Sequence, residues 1–417
     1  MVGVDRERAG PAAAGDVLEL AVGEAVHGGW CVARPVGAAG TSQFVVFVRH
    51  ALPGEQVRAV VTQRTAKFAR ADAVEIITAS PDRVRPPCPY AGPGGCGGCD
   101  WQHASLAAQR DIKAHVVGQQ LRRIAGMDRD VTVEPLPGES DGLGWRTRVR
   151  FAVGADGVAG LRQHRSHQII KVTDCLIAHP LVREAAVTRQ SWRGARSVEV
   201  TAAPGTGQRA VIAPGASPSG AGRRYLTQRA AGRLWRVSTG AFWQVHPQAA
   251  DALVTAVLAG LEPQAGETAL DLFCGAGLFT GALAEAVGPG GAVIGIESDA
   301  AAAADARHNL RSVPWARVRR GDAAEVLGRT GLCGAAVAVL DPPRAGAPGA
   351  LVDLLCGTGP AGARPRRIGY VSCDPATLAR DIAAFGQRGW QLDQLRAFDA
   401  FPMTHHVECV AVLTPPA

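Results

Sequence analysis

Five stretches, "TALDLFCGAG", "GAVIGIES", "WARVRRGD", "AAVAVLDPP" and "RRIGYVSC", recur between residues 268 and 373, each apolar and each ending in Gly, Asp, Glu, Ser or Cys. Helix-like segments separate them. That alternation is the pattern of a parallel α/β sheet, in which functional residues gather at the carboxyl ends of the strands. A helix-like stretch, "PQAADALVTAVLAGLEP", introduces this region near residue 247, and "WQLDQLRAFDAFPMTHHVECVAVLTP" reads as a final antiparallel pair.

The rest of the chain is built differently. From about Asp16 to Thr78, short apolar strands alternate with Gly- and Pro-containing turns, which suggests a small OB-like β-barrel. "SPDRVRPPCPY" reads as a linker into a cysteine cluster, and from Asp141 the sequence turns strand-rich again. The expected fold is therefore a multidomain α/β protein. It divides into a barrel over 1–80, a central α+β domain with the cysteines over 81–240, and a Rossmann-like, mostly parallel domain over 241–417.

Composition narrows the function. The chain has 417 residues, 47% of them apolar, and reads as globular. No apolar run approaches the ~18–20 residues that cross a bilayer, and "MVGVDRERAG" has no apolar leader region, so a cytoplasmic location is expected. In a reducing compartment, clustered cysteines point to metal ligation or catalysis rather than disulfides. Cys88, Cys96 and Cys99 fall within twelve residues. Thiolate ligands suit zinc and iron alike, so these residues leave the metal open.

The formal charge of +7 is unevenly placed: residues 101–240 hold twenty-one basic and ten acidic side chains, whereas 241–417 hold thirteen and seventeen. A basic middle third suits a polyanion such as RNA. In "GWRTRVRF", Arg146, Arg148 and Arg150 alternate with Trp145, Thr147, Val149 and Phe151. A period of two sets three guanidinium groups on one strand face, a candidate platform for RNA phosphates.

Gly275 and Gly277 follow the first strand of the parallel region, where they let the backbone approach a ligand as a helix begins. Glu297 ends the next strand, where an acid can bond ribose hydroxyls. With Asp271 and "GDA" at 321–323, the set resembles the S-adenosylmethionine pocket of class I methyltransferases; the third glycine of a dinucleotide fingerprint is missing.

"FWQVHP" (242–247), "VLDPPRAG" (339–346), "YVSCDPATLARD" (370–381) and "FPMTHHVECV" (401–410) together resemble the RNA uracil-C5 methyltransferase family, and the likeness runs through nearly the whole chain. The resemblance implies a TRAM-type RNA-binding barrel at the N-terminus. It makes Cys373 the nucleophile, Glu408 the general base, and Asp341 a residue near both cofactor and target base. Gln244, Phe273, Gly275, Gly277 and Glu297 are expected at S-adenosylmethionine, with Asp322 near its adenine. It also supplies the fourth cluster ligand, Cys175, and implies a [4Fe–4S] cluster on Cys88, Cys96, Cys99 and Cys175.

The chemistry has its own logic. C5 of uracil is a poor nucleophile. A thiolate adding to C6 gives C5 carbanion character, and after methylation a base must remove the C5 proton so that the thiolate can leave. Cys373 follows an apolar strand and precedes a helix start, a setting that can lower a thiol pKa. Three positions depart from the family pattern: Asp374 stands where Asn is usual, Leu278 replaces another Asn, and the first cysteine spacing is longer by two. RNA cytosine-C5 methyltransferases carry their cysteine in the "DPPR" position, which here holds Arg344. Uracil in 23S rRNA is the expected target, with tRNA as the alternative. A non-catalytic iron–sulfur RNA-binding protein would leave Cys373 and Glu408 unexplained. No obligatory protein partner is evident, and a monomer is expected.

Overall fold

The computed structural model describes residues 13–37, 44–138, 141–215, 223–331, 333–357 and 364–416. The opening stretch read above for a leader lies outside the described residues.

Strands β1 (Val17–Val26), β2 (Trp30–Pro35), β3 (Val45–Arg49), β4 (Gln56–Arg64) and β5 (Phe68–Thr78) close into a barrel in the order β1-β2-β3-β5-β4. This is the OB arrangement. Period-two alternation sends Leu20, Val22, Val57, Ala59, Val61, Ala69, Ala71 and Ala73 inward, and small side chains fit the narrow lumen. Residues 27–29 join β1 to β2, with Val26 paired to Trp30 and both Gly28 (φ +91°) and Gly29 (φ +80°) left-handed.

Helix α1 (Leu106–Gln120) starts at Ser105, whose hydroxyl accepts from Ala108 N at 3.2 Å. Its first turns, with Trp101, pack into the barrel core. The three-residue strand β6 (Val133–Pro135) follows. Then come β7 (Arg148–Val153), β8 (Ala159–Arg162), β9 (Ile169–Ile170), the single-turn α2 (Pro180–Arg183), β10 (Ser197–Ala203) and β11 (Gln208–Ile212). These strands form a sheet ordered β11-β10-β7-β8-β9 over a core that includes Val149, Phe151, Val198 and Val200. Strands β12 (Tyr225–Ala230) and β13 (Arg233–Ser238) make a hairpin through Ala231 and Gly232, both at positive φ, as a two-residue turn that matches strand twist requires.

The remaining elements are α3 (Ala249–Leu261), β14 (Thr268–Leu272), α4 (Leu278–Val287), β15 (Ala292–Glu297), α5 (Ala300–Asn309), β16 (Ala316–Arg320), α6 (Ala323–Thr330), β17 (Val337–Leu340), α7 (Gly349–Leu355), β18 (Arg367–Ser372), α8 (Pro375–Gly386), β19 (Gln391–Asp399) and β20 (Glu408–Thr414). The five apolar stretches are β14 to β18, mutually parallel, and β19–β20 is the antiparallel pair. Val337 to Leu340 are fully buried because helices cover both faces. The sheet order is β16-β15-β14-β17-β18-β20-β19-β6, so its last strand comes from the central segment. Among the described residues no helix is long and apolar enough to cross a membrane.

One buried ion pair secures that borrowed segment. Lys113 Nζ on α1 donates to Asp399 Oδ1 at 2.5 Å and to Phe401 O at 3.0 Å, with both side chains at most 1% exposed. Removing one member of such a pair strands the other charge in the interior. Lys113→Met is expected to lower unfolding free energy by about 3–5 kcal/mol in urea titrations; a loss within experimental error would show that Asp399 is neutralised some other way.

Candidate active site

The carboxyl ends of β14 and β15 lie side by side. Glu297 is fixed by backbone donors: Gly275 N to Oε2 at 2.9 Å and Asp299 N to Oε1 at 2.7 Å. Phe273 sits at φ +69°, costly for a bulky residue, with its N–H and that of Cys274 both bonded to Ile296 O at 3.0 Å. The two glycines divide their labour. A Cβ on Gly275 would meet nothing within 4 Å, so space is open beside it; one on Gly277 would stand 3.3 Å from Ala306 and Leu310, so that glycine serves the packing of α4 on α5. Asp271 is fully buried, accepts from Thr280 Oγ1 at 2.5 Å, and is pushed up to about 7 by burial. Asp322 is exposed and caps α6, accepting from Ala324 N and Glu325 N.

Gln244 is buried on the segment leading into α3, and the central sheet holds that segment in place. Val245 O accepts from Thr147 N and Oγ1, and Arg148 donates to Ala241 O at 2.9 Å and Gly240 O at 3.0 Å. Arg148 also pairs with Glu199 at 2.7 Å. Of the three alternating arginines, Arg148 is bonded to the 240–241 turn, while Arg146 and the more exposed Arg150 both line the cysteine pocket. Phe242, which the sequence reading passed over, is 64% exposed beside Gln244.

The reactive end lies where β17, β18 and β20 finish or begin. Ser372 pairs with Cys409 across the antiparallel strands, so Cys373 leaves β18 beside Glu408 at the start of β20. The thiol stands at about 11: burial raises it most, Glu408 and Asp341 add to this, and Arg344 opposes them by charge and a hydrogen bond. The helix start foreseen after Cys373 is present as α8, but Asp374 caps it by accepting from Thr377 N at 2.8 Å, and burial outweighs the dipole. Glu408, 3% exposed, is held well above the carboxylate range by burial and by Asp341, against Arg344. Asp341, directly after β17, is raised to about 7 by burial and Asp271. Arg344 lies on a loop held by α8, with Thr377 Oγ1 bonded to Arg344 O and Arg380 bonded to Ala345 O. Gly346 permits this: a Cβ there would sit 2.2 Å from Arg380 and 2.4 Å from Asp381. Arg344 was legible in sequence only as the absence of a cysteine; its contact with Cys373 needs the fold.

Cys88, Cys96, Cys99 and Cys175 are free thiols lining one pocket of about 300 Å³. Gln102 Nε2 donates to Cys99 Sγ at 3.1 Å, and Gly98 N to Cys96 Sγ at 3.4 Å. Burial and the neighbouring thiols push Cys96, Cys99 and Cys175 upward. In this conformation, among the described residues, no group of three or more His, Cys, Asp or Glu side chains is spaced to hold a metal ion. The four sulfur donors nonetheless share one cavity, and N–H groups are aimed at two of them.

A family profile described as tRNA (Uracil-5-)-methyltransferase matches residues 333–415, and one described as Protein-L-isoaspartate(D-aspartate) O-methyltransferase matches 244–330. An RNA methyltransferase of Streptomyces avermitilis is 49% identical over 97% of this chain and 99% of its own. The 23S rRNA (uracil(1939)-C(5))-methyltransferase RlmD of Pseudomonas putida is 33% identical over 88% of each chain. The Pyrococcus abyssi tRNA (uracil-54, C5)-methyltransferase, solved with S-adenosyl-L-homocysteine, has a TM-score of 0.70 over 95% of this chain and 100% of that one; at 23% identity this is a likeness of fold. The parallel sheet and its Gly-rich first turn define a class I S-adenosylmethionine-dependent methyltransferase. Within that class, the chain belongs to the RNA uracil-5-methyltransferase family.

Burial of Glu408 has a measurable sign. Its folded pKa lies above the unfolded one, so the neutral acid favours folding at low pH, and that stability is lost as pH rises beyond the ordinary value of 4.5. Glu408→Gln is therefore expected to gain Tm over wild type progressively from pH 5 to pH 8; a difference flat with pH would contradict the raised pKa.

Proposed function

We propose that the enzyme methylates C5 of a uridine in structured RNA, 23S rRNA first, through a covalent adduct on Cys373. The observation that carries this reading is the meeting of Cys373, Glu408, Asp341 and Arg344 at adjacent strand ends. Cys373 Sγ adds to C6 of the base, with Arg344 stabilising the thiolate. S-adenosylmethionine supplies an electrophilic methyl group when bound; Gln244, Phe273, Gly275 and Glu297 line its site, Gly277 shapes the turn, and Asp322 lies toward its adenine. The activated C5 would take that methyl group as the S–CH3 bond breaks, with S-adenosylhomocysteine leaving. Glu408, its basicity raised by burial, removes the C5 proton, and the thiolate is eliminated. Asp341 sits between the cofactor side and the base.

Cys88, Cys96, Cys99 and Cys175 are proposed to hold a [4Fe–4S] cluster with a structural role, pinning the loop beside the basic domain. The barrel is read as a TRAM-type RNA-binding module, and the basic surplus of the middle third, with Arg150 exposed on β7, supports an RNA-facing surface. The 33% relative acts by name on 23S rRNA, which favours rRNA; the fold neighbour's name keeps tRNA as the second reading.

Cys373→Ala is expected to abolish transfer of radiolabelled methyl to RNA, and wild type to form a stable complex with 5-fluorouridine RNA; an active enzyme that forms none would refute the covalent route. Mapping 5-methyluridine in rRNA and tRNA from a deletion strain decides the target. Protein prepared without oxygen should be brown, absorbing near ~400 nm, and Cys175→Ala should lose both colour and iron. Stoichiometric zinc would overturn the cluster assignment.

A further inference from the structure

The barrel reaches into the reactive end. His27, in the turn between β1 and β2, sets Nε2 3.3 Å from Asp374 Oδ2, the residue next to Cys373. The two side chains are 34% and 25% exposed, so their interaction is only partly screened by solvent. The turn cannot slide away easily: a Cβ on Gly29 would stand 2.8–2.9 Å from the Asp100 side chain, and the His27 ring meets His405 edge-on at 6.2 Å. Asp374 remains ionised because its bonds to His27 and Thr377 outweigh its burial. A fixed negative charge thus follows directly in the chain after a thiol that must ionise; that thiol already faces Glu408 and Asp341 with Arg344 as the opposing cation, and Cys409 feels both Cys373 and Asp374.

We propose that His27 is a positioning residue for the nucleophile: by bonding Asp374 from the barrel, it draws that carboxylate away from Cys373 Sγ and offsets its charge. The proposal rests on the reading of Cys373 as the nucleophile. It accounts for the tolerance of Asp374 at a position where the family usually has Asn. It also makes correct docking of the RNA-binding barrel a condition for a reactive thiol.

The test reads the thiol itself. Iodoacetamide labelling of Cys373, followed across pH by mass spectrometry of its peptide, gives a midpoint in the full-length protein. His27→Ala is expected to raise that midpoint by about 0.5–1 unit and to slow 5-fluorouridine-RNA adduct formation about 3–10-fold, since one unit is tenfold in thiolate. The KM for S-adenosylmethionine should not change. Adding Asp374→Asn to His27→Ala keeps the helix cap but removes the charge, and should return both readouts toward wild type. Gly29→Ala, which displaces the turn without touching His27, should mimic His27→Ala. An unchanged midpoint in His27→Ala, or no recovery in the double variant, overturns the proposal. Activity retained in Cys373→Ala would instead overturn the nucleophile assignment, and the labelling result would still stand on its own.

Discussion

Three parts of the chain meet on one buried carboxylate. Asp100, directly after Cys99, accepts from Arg49 of the barrel at 3.3 Å and from both the backbone and Nδ1 of His405, at 3.0 and 2.7 Å. Its own N–H bonds Met403 O at 2.8 Å. Burial pushes this acid up, but the His405 bond and the charges of His405 and Arg49 outweigh it and hold it at about 2. A charge so enclosed is stable only while every partner stays in place. The arrangement therefore demands that barrel, cysteine loop and the 400–406 segment assemble together, and that segment runs directly into Glu408.

The reactive end works against ordinary solvation. Burial raises Cys373, Glu408 and Asp341 together, and each ionised acid makes the next ionisation harder. Arg344 is the local counterweight. It also lies 3.4 Å from His406 Nε2, whose ring burial holds well down near 3 and hence neutral. The pocket therefore disfavours ionisation of the thiol and of both carboxyl groups alike.

Much of this was legible in sequence. Strands β14, β15, β17 and β18 announce themselves as apolar runs that end in small or polar residues, whereas the edge strand β16 carries three arginines in five residues and buries none of them; the four motifs bring Cys373 and Glu408 into one family pattern. Period two in "RTRVRF" correctly buries Val149 and Phe151. Periodicity assigns a face, however, and not a partner: Arg148 turns to Glu199 and two carbonyls that lie fifty to ninety residues away along the chain. Strand β6 was invisible, being three residues ending in Pro135, with no period to detect. The His27–Asp374 contact joins residues from opposite ends of the chain, and a histidine in a Gly-rich turn carries no signal of it.

Strand β6 has one more consequence. It covers the outer edge of β19, pairing Val133 to Pro135 with Ala397 to Asp399, and Pro135 ends the ladder with a residue that cannot donate. The catalytic sheet is thus finished by a segment made by the ribosome more than a hundred residues before its first parallel strand. A fragment cut at the start of the methyltransferase region would present a bare strand edge and Asp399 without Lys113, the two features that drive self-association and insolubility.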